Sequence, residues 1–529
     1  MGLLRAFPRA RARAVAAVTA LGAAVTVLAC AGAPAAADGA VVSPGAASAT
    51  SSAAQPVALV AGQGAGDVNQ TRTRFGVHAT DLGVMWRDSR GRVAIAFGDT
   101  YGEGWGGDGA GPESADWRFN TLAHSGDSNL ADGMRIDSMV TDRPGHARQI
   151  LPRDPAVSEV TVIPTAAVSV GSRDYIHYMS VRSWGPAGTW VTNYSGLAYS
   201  DDGGENWTKA PAARWANQGG GERFQMAAMV RQGGFVHLFG TPNGRFGNAY
   251  LARVAESRVL ETPAYEYWTA SGWQAGAPDR AVPVAAGPVG ELSVQYNSHL
   301  RRWIALHLDE NRAAIVMRTA PVPTGPWTGG QVVAHSADYP GLYGGFLHPD
   351  SANGSEVYFA MSRWSPYHVQ LMRLRLADVP VNPNLVQDGG FEDRLPGAGP
   401  APWIVGGRGG VDYGKGNAHS GLNNGWVRHN SGWNNLYQKV VLTPRKRYRL
   451  SGWMRSSGSN SEGYFGIRKP SGQGVVAEQK FGSLPVHTRL NVEFTAGDAN
   501  ELEVFVGGWS VNNQDFWIQA DDIVLEELP

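Results

Sequence analysis

Residues 159–207, EVTVIPTAAV SVGSRDYIHY MSVRSWGPAG TWVTNYSGLA YSDDGGENW, hold one complete structural unit. Three apolar, β-branched and aromatic runs alternate with turn residues. The unit ends on Ser200, Asp202, Gly204 and Trp207, the spacing of an Asp-box turn. Such a turn closes a propeller blade. The same plan is legible four more times between Gly76 and Leu376. The first copy spans TDLGVMW, RVAIAFGDTYG and NTLAHSGD, and the third runs from FQMAAMV through FVHLFGTPNG to NAYLARV. The fourth contains GELSVQYN, RWIALHL and AIVMRTA, and the fifth YGGFLHP, EVYFAMSRW and VQLMRLRL. The intervals are too short for crossover helices and no stretch keeps a helical period, so the expected fold is all-β: a five-bladed β-propeller over 64–378, its ring closed by a strand from Phe75 or earlier. Asp202 and Trp207 are then turn residues rather than chemistry.

The flanks read differently. Arg5, Arg9, Arg11 and Arg13 precede an apolar run from Ala14 to Ala29 and the small residues APAAAD, an export signal over 1–37 with cleavage expected after Ala37. The single cysteine, Cys30, lies inside that segment. Lipid attachment there is the alternative to full secretion, and the mature chain has no disulfide in either case. Residues 38–63 are rich in Ala, Ser and Gly and read as a disordered linker. Turn residues cluster after Val379, and about nine short alternating stretches follow, so 379–529 is expected to be a β-sandwich of jelly-roll type.

A net charge of -1 without a basic block excludes a phosphate-tracking nucleic-acid binder, and no later apolar run is long enough to span a bilayer. His124, His177, His237 and His348 lack zinc-ligand spacing, and no nucleophile elbow is present. No cofactor is implied for catalysis. Aromatic rings stack on sugars, which is one reading of the eighteen tryptophans, although core packing accounts for most of them.

In a propeller the residues that begin the inner strands converge on the axis. Here they include Asp81, Glu159, Gln225, Glu291 and Tyr343. Asp99, within IAFGDTYG, ends an apolar strand of the same blade as Asp81. An isolated aspartate in such a place usually caps a turn. Two on one blade, in a desolvated pocket, can flank a glycosidic bond, one protonating the leaving oxygen and the other acting as base or nucleophile. Glu159 and Glu291 would shape the pocket, and Trp184, Asn193 and Tyr343 would contact sugar. A sialidase-like enzyme would need an arginine cluster that the blade starts lack. An L-arabinanase and a noncatalytic lectin remain as alternatives.

ATDLGVMW (79–86), IAFGDTYG (95–102), DWRFNTLAHSGD (116–127), the unit quoted above, YGGFLHP (343–349) and SRWSPYHVQLMR (362–373) occur in this order. Over about Phe75 to Leu376 the chain thereby resembles the endo-D-arabinanases of glycoside hydrolase family 183. The resemblance implies a polysaccharide substrate, the D-arabinan of arabinogalactan or lipoarabinomannan, cleaved internally at α-D-arabinofuranosyl linkages, with Asp81 and Asp99 matching the family's two essential aspartates. The C-terminal region resembles jelly-roll carbohydrate-binding modules that open with NLVQDGGFE (384–392) and close with DDIVL (521–525). That likeness implies a structural Ca2+ near Glu392 and Asp522. Trp426, Trp433 and Tyr437 are the candidate sugar platform of this domain.

Overall fold

The computed structural model describes residues 52–379, 384–392, 399–460, 462–510 and 513–528. The export signal, Cys30 and the first part of the linker lie outside these residues. Almost all regular structure is strand, because β-branched and aromatic runs alternate with Gly, Pro, Asn and Asp turns at short intervals.

Five antiparallel sheets form the propeller. Their inner strands are Ala79–Arg87, Thr161–Val170, Met226–Gln232, Leu292–Asn297 and Leu342–Leu347. Each inner strand packs beside the next, and the fifth returns to the first, so the blades close a ring. Apolar layers lie between neighbouring blades, and the strand Val93–Tyr101 is buried along its whole length. In the second blade the Asp box is built as read. Asp202 Oδ1 accepts from Ser200 Oγ (2.8 Å) and from the Asn206 amide (2.9 Å), and Trp207 Nε1 donates to the Gly204 carbonyl (2.9 Å).

One expectation fails here. The stretch read as linker supplies a strand, Gln55–Ala61, that pairs antiparallel with His368–Arg375 and completes the fifth blade. Leu59, Val60 and Ala61 are buried in it. The ring is thus closed by a strand earlier than Phe75, as expected, and Phe75 itself sits in a single helical turn, Thr71–Phe75. Burial against an existing sheet edge outweighs the weak strand propensity of an Ala- and Gly-rich segment.

Residues 384–528 form two five-stranded sheets around their own core, which includes Phe391, Leu436, Tyr448, Phe465, Ile518 and Leu525. Among the described residues these sheets hold ten strands, close to the nine or so expected. The sandwich docks on the third and fourth blades. The Gly329 amide donates to the Asn384 carbonyl (2.8 Å), Asn500 Nδ2 to the Pro283 carbonyl (2.6 Å), and Asn248 Nδ2 to Glu501 Oε2 (3.0 Å).

Candidate active site

The inner strand of the first blade is irregular where it begins. Thr80 pairs with Thr100 and Leu82 with Phe97, so one residue, Asp81, stands opposite two, Gly98 and Asp99. Leu82 adopts φ 64, a left-handed conformation that a branched side chain rarely takes. The fifth blade holds this bend in place. Ser362 Oγ accepts the Leu82 amide (2.8 Å), and the Tyr367 carbonyl accepts the Thr80 amide (2.8 Å). The bulge thus turns Asp81 toward the end of the second strand, where Asp99 lies.

Gly98 makes room for the pair. A methyl group on it would stand 2.3 Å from Asp81 Oδ1. Asp81 Oδ2 accepts from two tyrosines of the fifth blade, Tyr343 (2.9 Å) and Tyr367 (3.2 Å), while Oδ1 is buried without a partner. Asp99 Oδ1 accepts from Trp117 Nε1 (2.9 Å) and Thr161 Oγ1 (2.7 Å). Burial, and next the charge of Asp99, push the Asp81 carboxyl up to about 8, against the pull of its two tyrosine hydrogen bonds. Burial likewise raises Asp99, but its Thr161 and Trp117 bonds and the charge of Arg153 hold it at about 6. The pair therefore keeps one proton over the intervening range.

Tyr343 links this pair to further groups. Arg245 lies over its ring (5.2 Å) and binds Glu291 Oε1 through Nε (2.9 Å) and Nη2 (2.8 Å), and Glu310 through Nη1 (2.9 Å). Glu291 Oε2 is buried and unpartnered, and its charge contributes to the rise at Asp81. Arg245 also approaches the Trp190 ring (5.9 Å), against which Trp184 makes an edge contact (5.9 Å).

Of the residues expected from sequence, Asp81, Asp99, Tyr343 and Glu291 come together. Glu159 belongs elsewhere. Its carboxylate accepts the Asp154 amide and faces Lys209 (3.9 Å), in a cluster with Tyr178 and Tyr194. The regular strand starts two residues later, and Thr161 is the side chain that reaches Asp99. Asn193 is also displaced from the pair. Its Nδ2 donates to the Ser158 carbonyl (2.7 Å) and Ser180 Oγ (3.1 Å), tying down the segment before that strand. Gln225 is fully buried, with Oε1 accepting from Thr192 (2.7 Å). Trp184 stands half exposed at the rim.

Thr161, Trp117, Tyr367 and Arg245 were not singled out in the sequence. SRWSPYHVQ did carry Tyr367, but its position in the loop after the strand Glu356–Arg363 hides its inward turn. An axial cavity of about 530 Å3 exists at the other end of the inner strands, lined by Met85, Thr165, Met229, Ser293 and Phe346 among others; neither aspartate lines it.

In the sandwich, Trp433 and Tyr437 share one strand, Gly432–Val441. Trp433 meets Tyr464 (5.6 Å) and Phe505 (6.2 Å), and Arg468 lies over Tyr437 (4.9 Å). Trp426 lies on the opposite sheet and lines a separate cavity with Arg428 and Asp515, so the three do not form one platform. Glu392 and Asp522 line one cavity beside Gly390. Glu392 Oε1 accepts the Leu422 and Asn423 amides (both 2.7 Å), and Asp522 accepts from Ser420 Oγ and pairs with His419 (both 2.7 Å). A hard cation there would compete with these bonds.

Fold and site together define a five-bladed propeller carrying a carboxylate pair, one member buried and the other partly exposed, on its first blade. Residues 66–373 match the family described as Domain of unknown function (DUF4185), and the chain belongs to that family. Notoamide biosynthesis cluster protein J of Aspergillus sp. (strain MF297-2) is 30% identical over 317 residues, 57% of this chain and 83% of the relative. Notoamide biosynthesis cluster protein J' of Aspergillus versicolor is 30% identical over 315 residues, 57% of this chain and 84% of the relative. Among solved structures, a glycoside hydrolase family 43 arabinoxylan arabinofuranohydrolase from Bacillus subtilis is similar over 89% of this chain and 99% of its own, at 11% identity and a TM-score of 0.37. A likeness at that level bears on neither activity nor substrate.

Proposed function

We propose that the protein is a secreted or cell-surface endo-acting glycoside hydrolase that cleaves α-D-arabinofuranosyl linkages in the D-arabinan of arabinogalactan or lipoarabinomannan. One observation carries the enzymatic reading. Two neighbouring carboxylates of one blade, Asp99 buried and Asp81 partly exposed, have environments that hold Asp81 protonated to about 8 and Asp99 only to about 6. Acid and base assignments follow from such a difference. Asp81 is the acid: Tyr343 and Tyr367 hold its Oδ2, and its carboxyl proton passes to the glycosidic oxygen as the bond to the anomeric carbon breaks. Asp99 is the ionised partner, with Thr161 and Trp117 fixing its orientation. It either takes a proton from the attacking water or attacks the anomeric carbon itself, and its charge stabilises the oxocarbenium-like state.

The choice of D-arabinan is supported by the ordered motifs that resemble the endo-D-arabinanases. The sandwich would hold the enzyme on its polymer. The purified chain is to be incubated with D-arabinan-containing arabinogalactan and with plant L-arabinan, following released oligosaccharides by chromatography. A ladder of D-arabino-oligosaccharides from the first polymer alone is expected. Products from L-arabinan alone would replace the substrate assignment, and binding without products from either would replace the enzyme by a lectin.

A further inference from the structure

All five blades run the same way around the axis, so the loops joining their second and third strands emerge at the end that carries Asp81 and Asp99. Among the described residues of the propeller, four aromatic side chains are substantially exposed: Trp184 (50%), Phe246 (53%), Trp364 (52%) and Tyr296 (37%). Three of them belong to those loops or border them. Trp184 ends the second strand of the second blade, Phe246 lies in the corresponding loop of the third, and Trp364 begins that of the fifth. Tyr296 is at the far end of an inner strand. Exposing a large ring is unfavourable, and a recurrence in three blades on one face marks a surface that meets a ligand.

The three are held in place rather than free. Trp364 makes an edge contact with the buried Tyr367 (5.6 Å), and its Nε1 would lie 3.0 Å from a methyl group on Gly109 of the first-blade loop. Trp184 rests in the same way on the buried Trp190. Phe246 covers Gly188, whose carbonyl accepts the Arg245 amide (3.0 Å). Both tryptophans connect to the acid, from different sides. Trp364 does so through Tyr367, whose hydroxyl donates to Asp81, and Trp184 through Trp190, Arg245 and Tyr343, whose hydroxyl donates to the same oxygen. The carboxylate pair therefore lies between the aromatic of the fifth blade and those of the second and third.

The geometry points to an extended subsite row in which Trp364 on one side of the cut, and Trp184 and Phe246 on the other, stack against successive sugar rings of a chain that crosses the propeller face. Aromatic faces bind the C–H face of a sugar ring, and the rings on both flanks require the chain to continue past the acid pair in both directions. This inference rests on the glycosidase reading above and adds to it the source of internal cleavage. Chain ends have no privileged place in such a row.

The test uses the full chain with Trp364→Ala, Phe246→Ala and Trp184→Ala, and Tyr296→Ala as the control. Each of the first three is expected to raise KM for polymeric D-arabinan about tenfold, the scale of one aromatic contact. kcat on the polymer should change much less than KM, and Tyr296→Ala should match the wild type in both constants. A second readout needs no turnover: oligosaccharide binding to Asp99→Asn protein, followed by intrinsic fluorescence, should weaken when Trp364→Ala or Trp184→Ala is added. Wild-type cleavage of D-arabinan with unchanged KM and binding in all three variants would overturn the subsite row and leave the proposed activity standing. If the wild type neither cuts nor binds any arabinan, both readings fall together.

Discussion

Replacing Asp81 by asparagine is expected to abolish cleavage and to stabilise the fold, by an amount that grows with pH. The folded protein holds the Asp81 proton to about 8, whereas the unfolded chain releases it near the ordinary value of 3.8. Between these values the folded state binds one more proton than the unfolded state, so stability falls as pH rises, by about 1.4 kcal/mol per pH unit. Asparagine removes that dependence. Its Oδ1 can accept from Tyr343 and Tyr367 as the carboxylate does, and its buried Nδ2 lacks a partner as Oδ1 of Asp81 does. The cost of that amide does not vary with pH and drops out of the comparison. From pH 5.5 to pH 8 the advantage of the variant should therefore widen by about 3 kcal/mol. With an unfolding entropy of roughly 0.6 kcal/mol/K for a domain of about 300 residues, the gap in Tm should widen by about 5 °C. Differential scanning calorimetry of both proteins at the two pH values measures it. A gap that stays constant would mean that Asp81 is not held protonated, and the acid role assigned to it would be lost.

Activity should follow a bell in pH, rising as Asp99 ionises through about 6 and falling as Asp81 deprotonates through about 8; a kcat/KM profile with no fall above pH 8 would count against Asp81 as the acid. Gly98→Ala should cost at least about a hundredfold in kcat while near-ultraviolet circular dichroism stays close to wild type, because the new methyl displaces Asp81 Oδ1 and small displacements of reacting groups are costly. Asp202→Ala should lower stability by about 1–2 kcal/mol in denaturant titration and leave kcat unchanged, since its hydrogen bonds close a turn remote from the pair.

Blade number and most strands were legible because each blade alternates apolar and turn-rich runs, but Ser200 to Trp207, which reads as the end of the second blade, is the turn into its fourth strand, Thr208–Ala216. The closing strand was anticipated only as lying at Phe75 or earlier, and its own residues read as linker. Gln55–Ala61 has the composition of its neighbours 38–51, and only the free edge of His368–Arg375, remote in sequence, makes it a strand. Asp81 and Asp99 could be read because two acids interrupt apolar runs of one blade. Glu159 looked equivalent, yet the strand begins at Thr161, and a shift of two residues moves a carboxylate from the axis to a flanking ion pair. Tyr367 and Trp117 were hidden for another reason: each reaches the pair from a loop or short bridge outside the regular alternation, where periodicity gives no direction.

The pairing of Gln55–Ala61 with His368–Arg375 makes the first strand of the propeller to be synthesised the last to find its partner. Until some 310 further residues have been made, the ring is an open arc with one blade incomplete, and the loop that closes it is costly in chain entropy. Closure then joins the fifth blade, which carries Tyr343 and Tyr367, to the blade that carries the acids. A protease cut between Ala61 and Ala79 would leave the closing strand held by hydrogen bonds and burial alone. The order of the carboxylate pair is thus tied to the latch: whatever peels the N-terminal strand loosens the tyrosines on Asp81 before it disturbs the blades opposite.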